Sequence, residues 1–181
     1  MTKILKSIVL MSSVCGAIFG ALPATNAQPV TGKGTGGGGY FVEFRVAQVG
    51  TYGHSYAVYG NGSRVNYADL HPMGGYVMMA VGHVLPVPAN TDWDSGVLAL
   101  PVSARFRIPL SAERYSRLTA AVARAKRDKS PYWNAITNNC NHFIGQLAEA
   151  IGLKVPGSFQ VSYSFVPELK QMNGGAEGHP N

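Results

Sequence analysis

The chain has 181 residues, with fifteen Lys and Arg against nine Asp and Glu, a formal net charge of +6 and two cysteines. This mild basic excess carries no basic, aromatic-interleaved signature of the kind that binds nucleic acid. A charged fraction of 13% with 22 Gly and 9 Tyr suits a compact, strand-rich exported domain.

Residues 1–27 read as a secretory signal peptide. Lys3 and Lys6 supply the positive start, Ile8 to Leu22 the short apolar core, and Thr25-Asn26-Ala27 the small residues for cleavage after Ala27. The apolar core falls short of the roughly 18–20 residues that span a bilayer, although an uncleaved anchor is the alternative. Val14 stands where a lipoprotein signal needs a small residue, so Cys15 is not read as a lipidation site. No later segment is long and apolar enough to span. Removing Lys3 and Lys6 lowers the formal charge from +6 to +4. The mature chain, secreted or periplasmic, is then about 150 residues, enough for one domain with its own core.

Residues 28–39 form a Gly-rich linker unable to bury apolar surface. Gly32-Lys33-Gly34-Thr35 lacks the spacing and the preceding strand of a phosphate loop. The folded domain is expected over residues 40–170, followed by a polar tail over 171–181. Alternation predicts strands over Tyr40–Val49, His54–Tyr59 and Arg64–Tyr67, the last two joined by a tight turn at Asn61-Gly62. Tyr76–Val81 reads as a fourth strand, Asp92–Gly96 as a loop, and Val97–Leu100 and Arg105–Leu110 as strands separated near Pro101. Nothing marks Asp92 and Asp94 as a glycosidase pair.

Ser111 is an N-cap candidate. Beyond it, Tyr115, Leu118, Val122 and Ala125 share one face of a helix predicted over Ala112–Asp128. Its basic side chains, Arg114 to Lys129, form a solvated face or else a patch for anionic lipid or cell-wall polymer. A second helix is predicted over Cys140–Ile151, with Phe143, Ile144, Leu147 and Ile151 as its apolar stripe and Gly152 at its end. Segregated strands and helices predict an α+β fold.

Cys140 is the only cysteine beyond the leader, so the mature chain offers it no disulfide partner. With Asn139 as N-cap it falls in the first helical turn. There the helix dipole and exposed amides lower a thiol pKa and suit a nucleophile and its oxyanion; the alternative is a small apolar packing residue. His54 is the candidate base, placed at a sheet edge beside Gly50-Thr51-Tyr52-Gly53. His142 lies about 200° round the helix from Cys140, which sets the two side chains apart and disfavours a shared metal. No zinc-ligand spacing occurs elsewhere, and no cofactor is expected. Tyr132 and Trp133, ahead of the cysteine, line a cleft or pack in the core.

His54-Ser55-Tyr56-Ala57-Val58-Tyr59-Gly60, followed much later by Asn139-Cys140-Asn141-His142-Phe143, resembles the circularly permuted papain-like hydrolases. These are relatives of the NlpC-type peptidases and include the PPPDE-type isopeptidases and the lecithin retinol acyltransferase family. The resemblance covers roughly residues 40–153. It implies a permuted papain-like fold, with an antiparallel sheet against helices, His54 as general base and Cys140 as nucleophile. In the acyltransferase group a second histidine follows about twelve residues after the first. Asn66 holds that position here and is the expected orienting residue, with His71 the rival. The resulting expectation is an exported thiol hydrolase cleaving an amide, isopeptide or ester bond, with peptide or peptidoglycan substrates fitting export. A lipid-modifying acyltransferase and a catalytically silent binding module are the alternatives.

Overall fold

The computed structural model describes residues 39–91 and 95–174. The expected leader, the linker up to residue 38, Asp92 to Asp94 and the tail beyond Gly174 lie outside the described residues. The described chain is α+β. Four strands, β1 (Tyr40–Ala47), β2 (His54–Asn61), β3 (Arg64–Ala68) and β6 (Val102–Leu110), form an antiparallel sheet in the order β3-β2-β1-β6. A smaller sheet joins β4 (His71–Pro72), β5 (Val87–Asn90) and β7 (Tyr132–Trp133) in the order β4-β5-β7.

Helices α3 (Ala112–Lys126), α4 (Cys140–Ala150) and α5 (Ser162–Met172) pack on one face of the larger sheet. Alternation sends Val42, Phe44 and Val46 of β1 to that face, where they meet Leu118 of α3, Ile144 and Leu147 of α4, and Phe165 and Leu169 of α5. Each large side chain buried in this way contributes about 1.5–3 kcal/mol. The opposite face buries Phe41, Ala47, Tyr56 and Val58 under Val97 and Leu100. Glu43, buried on that face, is paired by Arg45 and Arg107. Both faces of β1 and β2 are therefore covered, which explains why their alternation is blurred by a near-continuous apolar run.

Ser111 caps α3, accepting from the Arg114 amide. Gly152 follows α4 at φ +78°, a backbone conformation glycine adopts without steric cost. The β2–β3 turn is held by Asn61 Oδ1, which accepts from the amides of Ser63 and Arg64 at 3.1 and 2.9 Å.

The short strands β4, β5 and β7 have no counterpart among the expected elements, and three helices differ from expectation. Tyr76–Val81 is helical, within α1 (Gly75–Val81), and not a strand. A six-residue apolar run is ambiguous between the two states. Here the left-handed Gly74 sets the start, and the Gly82 amide closes on Met78 O at 2.8 Å. Val97–Leu100 is not a strand: Val97 and Leu98 end a helical turn, α2 (Ser95–Leu98), and Ala99–Leu100 continue as a turn, with Leu100 N–H to Val97 O at 3.1 Å ahead of Pro101. Helix α5 has no counterpart in the expected elements, because Pro167 interrupts its pattern six residues in. Its burial of Phe165, Val166 and Leu169 nevertheless holds it on the sheet.

Candidate active site

The turn before α4 is built by asparagine side chains. Asn134 Oδ1 accepts from the amides of Ile136 and Thr137, at 3.1 and 3.0 Å, while its Nδ2 donates to Gly82 O. Asn138 donates to Tyr132 O and Asn139 to Ala135 O, each at 2.7 Å. Asn139 is also the N-cap, its Oδ1 accepting from the His142 amide at 3.1 Å, and His142 closes the capping box. This makes Cys140 the first residue of α4. The Asn139 cap satisfies the His142 amide, and the amides of Cys140 and Asn141 have no intrahelical acceptor. His142 is engaged with its cap, away from the thiol, and burial pushes its pKa down.

His54 opens β2. That strand is interior to the sheet, so His54 lies at a strand end rather than on an edge strand. The neighbouring Ser55 turns under α4 and donates to Asn141 Oδ1 at 2.8 Å. His54 and Cys140 line the same cleft, close enough for each to shift the other's pKa. His54 Nε2 lies 3.0 Å from Asp69 Oδ2, which leaves Nδ1 for the sulfur. Burial by itself would push the His54 pKa down. Hydrogen bonds to Asp69 and Cys140, with their charges, outweigh it and raise the value to about 10. Burial likewise favours the neutral thiol, but the hydrogen bond and charge of His54, then hydrogen bonds from Ser162 and Ser55, bring Cys140 down to about 6. The two shifts belong to one coupled pair and describe an imidazolium–thiolate.

Asn66 does not orient the imidazole. The strand register sets Asn66 opposite Tyr59, five residues along β2 from His54. At roughly 3.3 Å per residue this is about 17 Å along the strand, and the odd offset also sends the two side chains to opposite faces. The group on His54 is Asp69, just after β3 and fully buried. His71 Nδ1 lies 3.1 Å from the same Asp69 oxygen, so the rival histidine is joined to His54 through the carboxylate. Asp69 Oδ1 is buried without a hydrogen-bond partner among the described residues. Burial would raise the Asp69 pKa, yet the hydrogen bonds from His54 and His71 hold it below the usual carboxylate range. The signal for Asp69 was present in Ala68-Asp69-Leu70-His71, where an acid between apolar residues lies two positions before a histidine.

Cys140, His54 and His71 line a cleft of about 920 Å³, walled by Tyr52, Tyr76, Met79, Trp133, Ile136 and Phe159 among others, with Asp69 buried behind it. Trp133 is thus both buried and part of the cleft wall. The described lining contains three histidines and no Lys, Arg, Asp or Glu. No group of three or more His, Cys, Asp or Glu side chains among the described residues is placed to hold a metal ion. None of their helices is long and apolar enough to cross a membrane. Compared with protein-family models, curated proteins and solved structures, the chain matches none.

Proposed function

We propose that the protein is an exported thiol hydrolase on a permuted papain-like scaffold, cleaving an amide, isopeptide or ester bond through an acyl-enzyme on Cys140. The observation that carries this reading is the array Cys140–His54–Asp69, which pairs a thiol at about 6 with an imidazole at about 10 on the wall of an open cleft. The thiolate attacks a carbonyl, and the free amides at the start of α4 receive the developing oxyanion. His54 then passes its proton to the leaving group as the C–N or C–O bond breaks. The freed imidazole takes a proton from water, whose oxygen displaces the sulfur and restores the thiolate. Asp69 keeps the imidazole in one tautomer and orientation throughout.

The lining favours a second reading on the same chemistry, a lipid-modifying or acyl-transferring enzyme. A cleft without Lys, Arg, Asp or Glu side chains among its described residues offers only histidines to the carboxylates of a peptidoglycan stem peptide. Its apolar wall suits an uncharged acyl group instead. A series of p-nitrophenyl esters and peptide anilides, assayed with wild type, Cys140→Ala and His54→Ala, tests both readings. The expected result is Cys140-dependent release with an acyl-enzyme visible by mass spectrometry. A rise in kcat/KM with acyl length favours the second reading. Equal background rates for wild type and Cys140→Ala across the series, with no acyl adduct, would leave only a silent binding module.

A further inference from the structure

Cys140 is held by more than its histidine. The next residue, Asn141, is 1% exposed and its carboxamide is engaged at both ends. Nδ2 donates to Gln160 O at 2.7 Å, and Oδ1 accepts from Ser55 Oγ at 2.8 Å and from Ser162 Oγ at 3.0 Å. Ser162 Oγ is 3.5 Å from Sγ, and Ser55, bonded to the same Asn141 oxygen, also helps hold the thiol pKa down. Ser55 is 0% and Ser162 2% exposed, so bulk water does not compete for either hydroxyl.

Each hydroxyl carries one proton. While both protons rest on Asn141 Oδ1, the serine oxygens turn lone pairs toward the sulfur, an arrangement that accepts an S–H and suits the neutral thiol. A thiolate reverses the preference, because an anion is a stronger acceptor than a neutral carbonyl. We propose that Ser162 and Ser55 are catalytic donors to the Cys140 thiolate, and that Asn141 is the positioning residue that holds their protons when the sulfur is not charged. This rests on Cys140 being the nucleophile of the proposed function.

The proton inventory closes. The thiol proton moves from Sγ to His54 Nδ1, while the serine protons stay on their oxygens and turn from Oδ1 to sulfur. As the S–C bond forms and the sulfur loses its charge, the hydroxyls turn back to Asn141. When water displaces the sulfur, they donate to it again, which stabilises the departing thiolate. The titratable groups facing this site are His54 on β2, Asp69 and His71 behind it, and His83, Tyr52 and Tyr76 on the cleft wall. From α5 it is Ser162 that meets the sulfur, while the acid of that helix, Glu168, is engaged by Gln160 Nε2 at 3.0 Å.

The test is the pH profile of Cys140 alkylation by iodoacetamide in the full chain, read by peptide mass mapping so that Cys15 does not contribute. Wild type is expected to titrate near 6. Ser162→Ala and Ser55→Ala should each raise the midpoint, so that alkylation below it falls about tenfold for the loss of one charge-assisted donor. The rate at the alkaline plateau should stay within about threefold, because access to the sulfur is unchanged. Asn141→Asp, a stronger and charged competitor for the same protons, should raise the midpoint further. Wild-type midpoints for both serine variants, with wild-type melting curves, would overturn the proposal while leaving the hydrolase reading intact. If Ser162→Ala does not fold, an unshifted Ser55→Ala profile overturns it alone. A wild-type midpoint near 8.5, the ordinary thiol value, overturns both readings together.

Discussion

His54 Nε2 and Asp69 Oδ2 lie 3.0 Å apart, a contact that spans the β2–β3 hairpin and joins one strand's first residue to the buried acid after the next. Because the other Asp69 oxygen has no partner among the described residues, the carboxylate's stabilisation rests on His54 and His71. An acid so placed acts on the imidazole and on little else.

Asp69→Asn is therefore expected to lower kcat by roughly a hundredfold to ten-thousandfold, since an amide can present N–H to Nε2 and favour the wrong tautomer. His54→Ala should be at least as severe, through loss of proton transfer. His71→Ala removes one of the two donors on Asp69 and should fall between Asp69→Asn and wild type. Asn66→Ala, on the opposite strand face and about 17 Å along, should retain wild-type kinetics. Steady-state rates of the four variants on one substrate decide the order, and a crippled Asn66→Ala would contradict the role assigned to Asp69.

The coupled pair sets the pH dependence of activity. Below about 6 the thiol is protonated and the nucleophile is lost; above about 10 the imidazolium is lost and with it the proton for the leaving group. kcat/KM should trace a bell with limbs near these values, which belong to the pair and not to either residue separately. In His54→Ala the thiolate loses its main partner, so Cys140 alkylation should titrate near the ordinary thiol value of about 8.5. A single bell limb near 8.5 in wild type would show that the two groups do not form an ion pair.

The same groups tie stability to pH, with opposite signs. Asp69 is held below its unfolded value, so its contribution is present above about 4 and is lost on acidification. His54 is raised from 6.5 to about 10 and Cys140 is lowered from 9.0 to about 6, so their opposite contributions offset between 6.5 and 9.0, and the pair's stabilisation is lost only as pH climbs further, through 10. Urea unfolding of wild type should show midpoints that fall on both the acid and the alkaline side. Asp69→Asn should be less stable at neutral pH and flatter below 4. Parallel acid limbs for wild type and Asp69→Asn would assign the acid sensitivity elsewhere.

Local signals carried much of this architecture. The caps at Ser111 and Asn139, the apolar stripe of α4 and the turn at Asn61 lie within a few residues of the elements they define. The approach of His54 to Cys140 is a long-range consequence, anticipated by resemblance and not by periodicity. Asp69 and Ser162 were missed for a different reason. Their partners His54 and Cys140 lie 15 and 22 positions away; the local spacing of Asp69 and His71 marks an acid beside a histidine but does not encode its pairing with His54. Pro167 hid α5, and with it the hydroxyl that meets the thiol. Asn66 was misplaced because counting residues from His54 ignores register. The hairpin pairs His54's strand with β3 only from Ala57 onward, so Asn66 meets Tyr59 and the chain must continue to Asp69 before it returns toward His54.

Gly53, immediately before His54, offers the sharpest test of how the loop positions the base. Its φ is +68°, and an added Cβ would lie 3.0 Å from Val46 Cγ1 and 3.1 Å from the Tyr163 ring. Gly50, at φ +49°, has nothing within 4 Å of its own ideal Cβ. The loop between them is tied to α5, since the Ser162 amide donates to Tyr52 O at 2.8 Å and Tyr163 Oη donates to Gly50 O at 3.1 Å. Alanine at either glycine carries the left-handed backbone cost of about 1–2 kcal/mol. Only at Gly53 must the packing also give way, at Val46 of β1 and at Tyr163, the chain neighbour of Ser162 on α5. Gly53→Ala is therefore expected to lower kcat/KM by tenfold or more beyond its stability loss, whereas Gly50→Ala should lose only the backbone share of stability, with near wild-type turnover. Activity measured at a temperature where both variants remain folded separates the two effects. Equal turnover in the two would mean that the Gly50–Gly53 loop does not set the position of His54.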